Sequence, residues 1–588
     1  MRHPLAALSA ALAAVGLLSA APSALAQNAS AHDAEMDQVL EQEQQLDNFY
    51  RAYFPDEATG RKAAITFHDQ ILGSHWKEGY LVLQLGAEDI ARLEAFKFRI
   101  VRDQEFIERH QAMLQKLREL GAPNLFGASG ARLAQRAAES GESIPNFPCY
   151  ETVEETFAAA QGFTSTYPKL ATWTPVGESW EKTQGTGGYD MAVLKLTNKD
   201  TTGPNGEAKP KLFVHSAMHA REYTTAPLSL AFATELLTGY GKDAEATWIL
   251  DHHEIHLLLQ TNPDGRKKAE AGSLWRKNTN KNYCGPNSNS RGADLNRNFT
   301  YSWNITHGGG SSGNQCDETY RGPSAASEPE TQAVEAYVRT LWPDRRGPNQ
   351  NDAAPADTSG IHIDLHSYSQ LVLWPWGFTS QVAPNGTALQ TLGRKFAYFN
   401  GYLPEQSIGL YQTDGTSDSV SYGELGVPAY TIEMGTDFFQ SCTAYTNTIK
   451  PANLKALWYA AHVVRTPYQT PAGPDVTKIK LSDNGVPPGT PVTLTATVDD
   501  THYSTRNGTE PTQNIAAAEA YVDLPPWMPG ATPIALAAAD GAYNAKTEKG
   551  TATLATGSLS KGKHLVFVRG KDAAGNFGPV SATFLKIK

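Results

Sequence analysis

The segment Phe213-Val-His-Ser-Ala-Met-His-Ala-Arg-Glu-Tyr-Thr-Thr225 joins an apolar run to the start of a helix. The run Lys211-Leu-Phe-Val reads as a buried strand, and Thr224 is typical of a helix cap with a proline in the following turn. His219 and Glu222 lie between strand and helix. At the carboxyl end of a buried strand in an α/β sheet, such side chains face the crevice where substrates bind.

Two later apolar strands also end in polar side chains. Ile361-His-Ile-Asp-Leu-His366 ends in a histidine, and Pro428-Ala-Tyr-Thr-Ile-Glu433 ends in a glutamate. Zinc accepts imidazole and carboxylate ligands, and a catalytic zinc keeps one position open. It lowers the pKa of a water and polarises a carbonyl, while a spare carboxylate moves the proton. The three strand ends together therefore predict a hydrolytic zinc site.

Composition narrows the class of protein. The 588 residues suggest two or three domains, and the net charge of −11 argues against a nucleic-acid-binding surface. An apolar stretch from Leu5 to Ala21, followed by Ala24-Leu-Ala26, predicts a cleaved secretory signal peptide over residues 1–26, with a membrane anchor as the alternative. No other stretch is apolar enough to span a membrane. We expect a secreted or periplasmic monomer.

The composition and the periodicity of apolar residues change along the chain and divide it into units. Residues 27–120 carry a strand near 79–85, a helix near 88–96, a second strand and an amphipathic helix from Gln104, which indicate a small α+β unit. Residues 121–146 are rich in Gly, Ala, Ser and Arg and read as a linker. Strands and helices alternate over 147–466, the α/β signature, and a Pro-rich linker covers 467–474. Residues 475–588 alternate as in a β-sandwich of immunoglobulin type.

The ordered motifs resemble those of the zinc metallocarboxypeptidases of the carboxypeptidase A and B type. The resemblance covers about Cys149–Thr466 and implies an α/β fold with a mixed central sheet flanked by helices. It also implies that the N-terminal unit is an inhibitory pro-segment. The motifs that carry it are His219-x-x-Glu222, His366-Ser-Tyr-Ser369, Thr431-Ile-Glu433, Asn262-Pro-Asp-Gly265, Trp275-Arg-Lys277, Gly292-Ala-Asp-Leu-Asn-Arg-Asn-Phe299 and Glu318-Thr-Tyr-Arg-Gly-Pro-Ser-Ala-Ala-Ser-Glu328.

The resemblance implies a role for individual residues. One zinc ion is expected on His219, Glu222 and His366, with Glu433 as general base. The implied partners are peptide or protein C-termini. The residues expected to bind substrate are Asn296 and Arg297 for the terminal carboxylate, Arg221 in the groove, Tyr411 as a mobile lid and Asp418 at the floor of the side-chain pocket.

One position departs from the expected pattern. The family places an oxyanion-stabilising arginine three residues after the one in Trp-Arg-Lys, and that position, counted from Arg276, is Thr279. Zinc, Lys277, Lys281 or Arg221 could take over this role, and the sequence leaves these alternatives open.

The four cysteines of an exported chain suggest two disulfides rather than buried thiols, with three pairings open from the sequence alone. The resemblance implies a Cys284–Cys316 bridge, which leaves Cys149 and Cys442 for the second.

Other polar residues have a structural interpretation. The histidines among apolar residues are expected to be structural, namely His215, His252, His253, His256 and His362. Asp499-Asp500 could bind calcium, although solvated loop acids are the favoured reading.

Three hypotheses for the function of the whole chain are compatible with these residues. The leading hypothesis is a secreted carboxypeptidase, which could favour C-terminal Lys or Arg because Asp418 stands where B-type enzymes keep an acid. The alternatives are a zinc amidase acting on cell-wall peptides and a catalytically decayed binding module. Because all three ligands and the base are present, decay is disfavoured.

Overall fold

A computed structural model describes residues 46–67, 70–75, 78–119 and 143–588. The expected signal peptide, residues 1–26, and most of the expected linker, residues 121–142, lie outside the described residues. Among the described residues, no helix combines the length and apolar character needed to cross a bilayer.

The N-terminal part is a four-stranded antiparallel sheet in the order β2-β3-β1-β4 with helices packed against it. Its central strand, β1, is not among the elements predicted from the sequence. Apolar side chains that include Leu81, Leu83, Leu93 and Phe98 form its core. The elements are β1 Phe49–Tyr53, α1 Glu57–Thr66, β2 Ile71–His75, β3 Tyr80–Gln84, α2 Ala87–Ala95, β4 Arg99–Arg102 and α3 Gln104–Glu119.

The middle of the chain builds an eight-stranded mixed sheet in the order β11-β10-β12-β9-β7-β8-β6-β5. This confirms the predicted α/β fold with a mixed central sheet. The elements are α4 Val153–Thr166, β5 Ala171–Glu178, α5 Trp180–Thr183, β6 Asp190–Leu196, β7 Lys211–His215, α6 Thr225–Gly239, α7 Ala244–His252, β8 Glu254–Leu258, α8 Pro263–Glu270, α9 Pro329–Leu341, β9 Ile361–His366, β10 Leu371–Trp374, α10 Gly386–Asn400, β11 Leu403–Gln406, α11 Ser417–Gly423, β12 Ala429–Glu433, α12 Cys442–Ala444 and α13 Lys450–Val463.

Three neighbouring strands of this sheet run parallel and position the site. β7 pairs with β9 and β9 with β12, so their carboxyl ends meet at one edge. The register places Glu433 opposite His366 at the ends of their strands. The side chains of β7, β9 and β12 are nearly all buried, which explains why these strands are continuous apolar runs in the sequence.

The C-terminal part is a β-sandwich, as the alternating pattern predicted. Its strands are β13 Asp475–Leu481, β14 Gly485–Val486, β15 Val492–Asp499, β16 Ile515–Val522, β17 Ile534–Ala538, β18 Thr547–Leu554, β19 Gly562–Asp572 and β20 Ser581–Ile587. Asp500 is buried rather than solvated, and its Oδ2 accepts a hydrogen bond from the Gln513 amide. The preferred reading of Asp499-Asp500 as two solvated acids is therefore wrong for Asp500.

The sandwich packs tightly on the central unit. Trp248 lies 5.9 Å from Trp527 and 6.4 Å from Phe567, measured between ring centroids. At the same junction, His462 Nε2 lies 2.9 Å from Glu245 Oε2, and Glu245 Oε1 accepts a hydrogen bond from the Ala582 amide. The two parts therefore share a buried apolar and charged interface.

Both predicted disulfides are present. Cys284 is bonded to Cys316, and Cys149 is bonded to Cys442. The second bridge ties the start of the central unit to the segment that follows β12.

Candidate active site

His219, Glu222 and His366 come together at the carboxyl edge of the central sheet. Their ligand atoms lie within 4.8 Å of one another, and all three side chains are buried. His219 Nδ1 lies 2.7 Å from Glu222 Oε1, and His366 Nδ1 lies 3.1 Å from Glu222 Oε2. Two imidazole nitrogens and a carboxylate facing one point are a ligand set for a single Zn²⁺, as the sequence predicted.

The outer nitrogen of each histidine faces a buried carboxylate. His219 Nε2 lies 3.1 Å from Asp294 Oδ1, and His366 Nε2 lies 2.9 Å from Asp364 Oδ2. Partners of this kind fix the ring orientation and the tautomer that leaves Nδ1 free to bind a metal. Both histidines are therefore oriented for metal binding by the protein itself.

Glu433 lines the same cavity as the three ligand residues. Burial raises the pKa of Glu433 to about 7, with the Glu222 carboxylate acting in the same direction and His366 and Arg276 opposing it. A carboxylate with a raised pKa that is not among the three converging ligands is suited to accept and return a proton.

Arg276, and not residue 279, supplies an arginine to the cavity. Arg276 lines it and donates from Nε and Nη2 to Asp294 Oδ2, at 3.2 and 2.8 Å. Thr279 is completely buried away from it, and Lys277 Nζ donates to the Gln315 and Asp317 carbonyls. Thr279 therefore does not leave the cavity without an arginine, because Arg276 of the Trp-Arg-Lys motif lines it, a residue that was not among the alternatives expected from the sequence.

The expected carboxylate-binding residues also line the cavity. Asn296 and Arg297 occupy a 3-10 turn, Leu295–Arg297, and both are buried. Arg297 Nη2 donates to the Tyr411 hydroxyl over 3.4 Å, and the Asn296 side-chain oxygen accepts from the Ser417 amide at 3.0 Å. The turn therefore holds a guanidinium and an amide side by side next to the metal ligands.

Asp418 lies in the first turn of α11 and faces the same cavity. Burial raises the pKa of Asp418, although hydrogen bonds from Thr416 and the Ser419 amide partly oppose the shift. No cationic side chain of the described residues forms an ion pair with it. A buried carboxyl group thus faces a space that substrate could enter.

Arg221 lies on another wall of the cavity, where its guanidinium packs 4.2 Å from the Phe438 ring centroid. Its Nη1 donates to the Leu274 carbonyl and to Glu318 Oε2. These contacts hold its side chain in place along the groove.

The histidines interpreted as structural lie outside the metal cluster. Burial lowers the pKa of His252 to about 4, with Arg465 acting in the same direction, and the pKa of His215 is also lowered to about 4 by burial. Neutral buried imidazoles of this kind fit a packing role.

The N-terminal unit reaches the cavity. Ala64 of α1 and Ile71 of β2 are among the lining residues. Phe49, Leu72, Val82 and Ile107 pack in one cluster with Tyr368 and Phe438, which lie on the rim of the site. One face of the N-terminal unit therefore covers the groove.

Sequence reasoning missed Asp294, Asp364 and the placement of Arg276. Asp294 and Arg276 both belong to the motifs quoted above, but a motif does not show where a side chain points. Asp364 alternates with His366 along β9, and the two-residue spacing put both on one face of the strand.

Comparisons with known proteins agree with this geometry. The zinc carboxypeptidase family matches residues 157–456. A zinc carboxypeptidase of Saccharothrix mutabilis subsp. capreolus is 32% identical over 299 residues, which cover 48% of this chain and 62% of the relative. Carboxypeptidase A4 of Mus musculus is 32% identical over 298 residues, covering 49% of this chain and 63% of the relative. The chain thus spans less than two thirds of the length of these two relatives.

Solved structures share the fold. Thrombin activatable fibrinolysis inhibitor superposes with a TM-score of 0.51 and 22% identity, covering 71% of this chain and 98% of the other. Carboxypeptidase A from Helicoverpa armigera gives a TM-score of 0.52 and 20% identity, covering 70% of this chain and 96% of the other. The family match extends over more than half of the sequence and contains every residue of the metal cluster, and on that basis the chain belongs to the zinc carboxypeptidase family.

Proposed function

We propose that this chain is a secreted zinc carboxypeptidase that hydrolyses the C-terminal peptide bond of peptides or proteins. The observation that carries the proposal is the single cavity that holds the His219–Glu222–His366 cluster, Glu433 and the Asn296–Arg297 pair. Secretion is supported by the signal-like N-terminus and the two disulfides. The proposed catalytic unit is residues 147–466.

Each residue of the cavity has a chemical task. His219, Glu222 and His366 would hold Zn²⁺, which would supply a Lewis acid for the scissile carbonyl and lower the pKa of a water molecule. Glu433 accepts the proton of that water and returns it to the leaving amine nitrogen. Arg276, held by Asp294, places a positive charge where the carbonyl oxygen becomes negative, and such a charge is most effective in a buried site.

The Asn296–Arg297 turn is proposed to bind the free carboxylate of the substrate. A guanidinium can bind both oxygens of a carboxylate, and Arg297 is only 2% exposed, which strengthens such a pair. Tyr411, within 3.4 Å of Arg297, would close over the bound residue. This pair favours an exopeptidase over an amidase that cuts an internal amide, since the amidase substrate has no carboxylate there.

Asp418 is proposed to set the side-chain preference. A buried carboxylate without an ionic partner is costly, and the side chain of a C-terminal Lys or Arg would supply the missing charge. Apolar side chains are also expected to be accepted, because Leu373 and Leu410 line the same cavity.

The N-terminal unit is proposed to be an inhibitory pro-segment spanning residues 27–120. It is supported by the placement of Ala64 and Ile71 against the cavity. Cleavage in the linker 121–146 would then release the unit and admit substrate.

The proposed activity is tested with blocked dipeptides that end in a free carboxylate, compared with the same peptides carrying a C-terminal amide. Chelator-sensitive release of the last residue from the free acids, with little from the amides, is the expected result. Equal cleavage of both sets would favour the amidase alternative.

A further inference from the structure

A second cavity lies at the opposite edge of the central sheet from the metal cluster. It has a volume of about 370 Å³ and is lined by Lys211, which begins β7, by Thr358 and Ser359, which precede β9, and by Val427, which precedes β12. These are the amino ends of the same three parallel strands that lead to the metal ligands and Glu433. The cavity is therefore separate from the proposed active site.

The walls of this cavity carry buried donor groups that are not used inside the protein. Arg465 Nε and Nη2, Trp342 Nε1 and the Thr358 hydroxyl are buried, and none has a hydrogen-bond partner among the described residues. Buried polar groups are nearly always hydrogen-bonded, so several orphaned donors on one cavity are unusual. Together they offer several donors to an acceptor-rich ligand.

The positively charged side chains around the cavity differ in their ion pairs and hydrogen bonds. Arg345 forms an ion pair with Asp357 at 2.7 Å. Lys211 Nζ donates to the Leu341 carbonyl, and Lys209 Nζ donates to the Thr197 hydroxyl and neighbouring oxygens. Arg465 has no carboxylate of the described residues within ion-pair distance, although Glu207, which also lines the cavity, attracts its charge from farther away. Unlike Lys211 and Lys209, it keeps two buried donor nitrogens without a hydrogen-bond partner among the described residues.

The sandwich domain positions this arginine. Arg465 follows α13 at the end of the central unit, and its guanidinium lies 4.6 Å from the centroid of Trp527 in the sandwich. An aromatic face stabilises a guanidinium without occupying its N–H donors, which stay in the plane of the group. The nearby His252 and His253 are kept neutral by burial, with Arg465 lowering the pKa of both further.

We propose that the cavity at the amino ends of β7, β9 and β12 binds a small oxyanion, with Arg465 as its main anchor and Thr358 and Trp342 as further donors. A planar guanidinium matches the paired oxygens of phosphate, sulfate or carboxylate. The Nε and Nη2 donors of Arg465 are buried without a hydrogen-bond partner among the described residues, and a bound anion would satisfy them. The inference uses none of the residues of the proposed peptidase site and stands independently of that activity.

The ligand could be an inorganic oxyanion or the carboxylate of a small organic acid. The experiment therefore titrates the full secreted chain with inorganic phosphate and, separately, with N-acetylglycine, by isothermal titration calorimetry at constant ionic strength. A titration with sodium chloride is the control, because chloride is a weak hydrogen-bond acceptor. Saturable binding of phosphate alone identifies an inorganic oxyanion, and saturable binding of N-acetylglycine alone identifies a carboxylate; either supports the proposal.

Variants separate this cavity from the metal site, which could also bind phosphate. Arg465→Gln should weaken binding by about ten- to a hundredfold, the loss expected for a charged hydrogen-bond donor. Arg569→Gln is the matched control, because Arg569 also packs on an aromatic ring but is paired with Glu519. It should bind as the wild type does.

A second measurement does not depend on whether a variant folds. Crystals of the wild-type chain grown with selenate should show an anomalous selenium peak within hydrogen-bond distance of Arg465. No binding beyond chloride, unchanged affinity in Arg465→Gln, or selenate found elsewhere and not beside Arg465 would each overturn the proposal.

Discussion

Arg276 donates two hydrogen bonds to one oxygen of Asp294, while the other oxygen of the same carboxylate lies 3.1 Å from the imidazole of His219. A single buried acid therefore contacts both a residue of the metal cluster and the arginine that lines the cavity beside that cluster. Burial acts against ionisation, but Arg276, His219 and Arg297 hold the pKa of Asp294 well below its usual range. These three cationic neighbours therefore favour the ionised form of the Asp294 carboxyl group.

Asp294→Asn should weaken zinc binding by about 10–100-fold, the usual effect of losing the outer partner of a metal-bound histidine. Turnover should fall as well, because Arg276 loses its ionic anchor. Zinc affinity is measured by competition with a chromogenic chelator. Asp200→Asn, at an exposed pair with Lys169, is the control and should leave affinity unchanged.

Glu433→Gln should fold and keep zinc but lose about 10²–10⁴ in kcat, the range typical of a general base. The amide has nearly the shape of the carboxylate and cannot accept the proton of water. Zinc content and far-UV circular dichroism establish the intact site, and Glu424→Gln on the surface is the control. Near wild-type turnover by a zinc-loaded Glu433→Gln protein would rule out the assigned base.

Cleavage between residues 121 and 142 should raise activity on small blocked dipeptides. The N-terminal unit covers the rim residues Tyr368 and Phe438, so the uncut chain should bind substrate poorly. Residues 27–588 are compared with a chain that starts near Ser143, both with full zinc occupancy. If the uncut chain is equally active, the N-terminal unit is a folding aid or an accessory domain.

Asp418→Ala should lower the ratio of kcat/KM for substrates ending in Arg to that for substrates ending in Phe. A loss of about 1.4 kcal/mol of charge pairing corresponds to a tenfold change in the ratio. Substrates ending in Arg, Lys, Phe and Leu are compared with wild type and variant. A wild type that prefers Phe, with a ratio unaffected by the substitution, would show that another residue sets the preference.

The junction of the two large units should weaken as pH rises. Burial acts to lower the pKa of His462, but the Glu245 carboxylate raises it above the unfolded value. The folded state therefore holds this proton more tightly, so its stabilisation is complete below about pH 6.5 and is lost as pH rises through the raised pKa. We expect the stability difference between wild type and His462→Gln to shrink over that interval in urea unfolding.

His256→Gln provides a comparison of opposite sign. Burial lowers the pKa of His256 below the unfolded value, so its contribution to stability should grow as pH rises towards about 6.5. A wild-type-to-variant difference for His462 that stays constant as pH rises above about 6.5 would contradict the assigned ion pair.

The strand ends that lead to His219, His366 and Glu433 could be predicted, because each is an apolar run followed by polar side chains. This pattern is local and does not depend on how the strands are arranged in the sheet. The N-terminal strand Phe49–Tyr53 could not, since only two of its five side chains are buried and its place between two partners is a tertiary property. The direction of Arg276 was equally hidden. It lies in a segment without helix or strand, where the contact with Asp294 and not a periodic pattern decides which way the side chain points.

The packing of Trp248 against Trp527 and Phe567 sets the smallest chain that should be expressed as a soluble product. A recombinant fragment ending at Thr466 would keep every residue of the metal cluster yet present bare aromatic surface to water, an aggregation hazard. Replacing the sandwich with one from another protein would expose the same surface, unless the new domain had aromatic residues at the positions of Trp527 and Phe567. Natural recombination and protein engineering should therefore both keep residues 143–588 together.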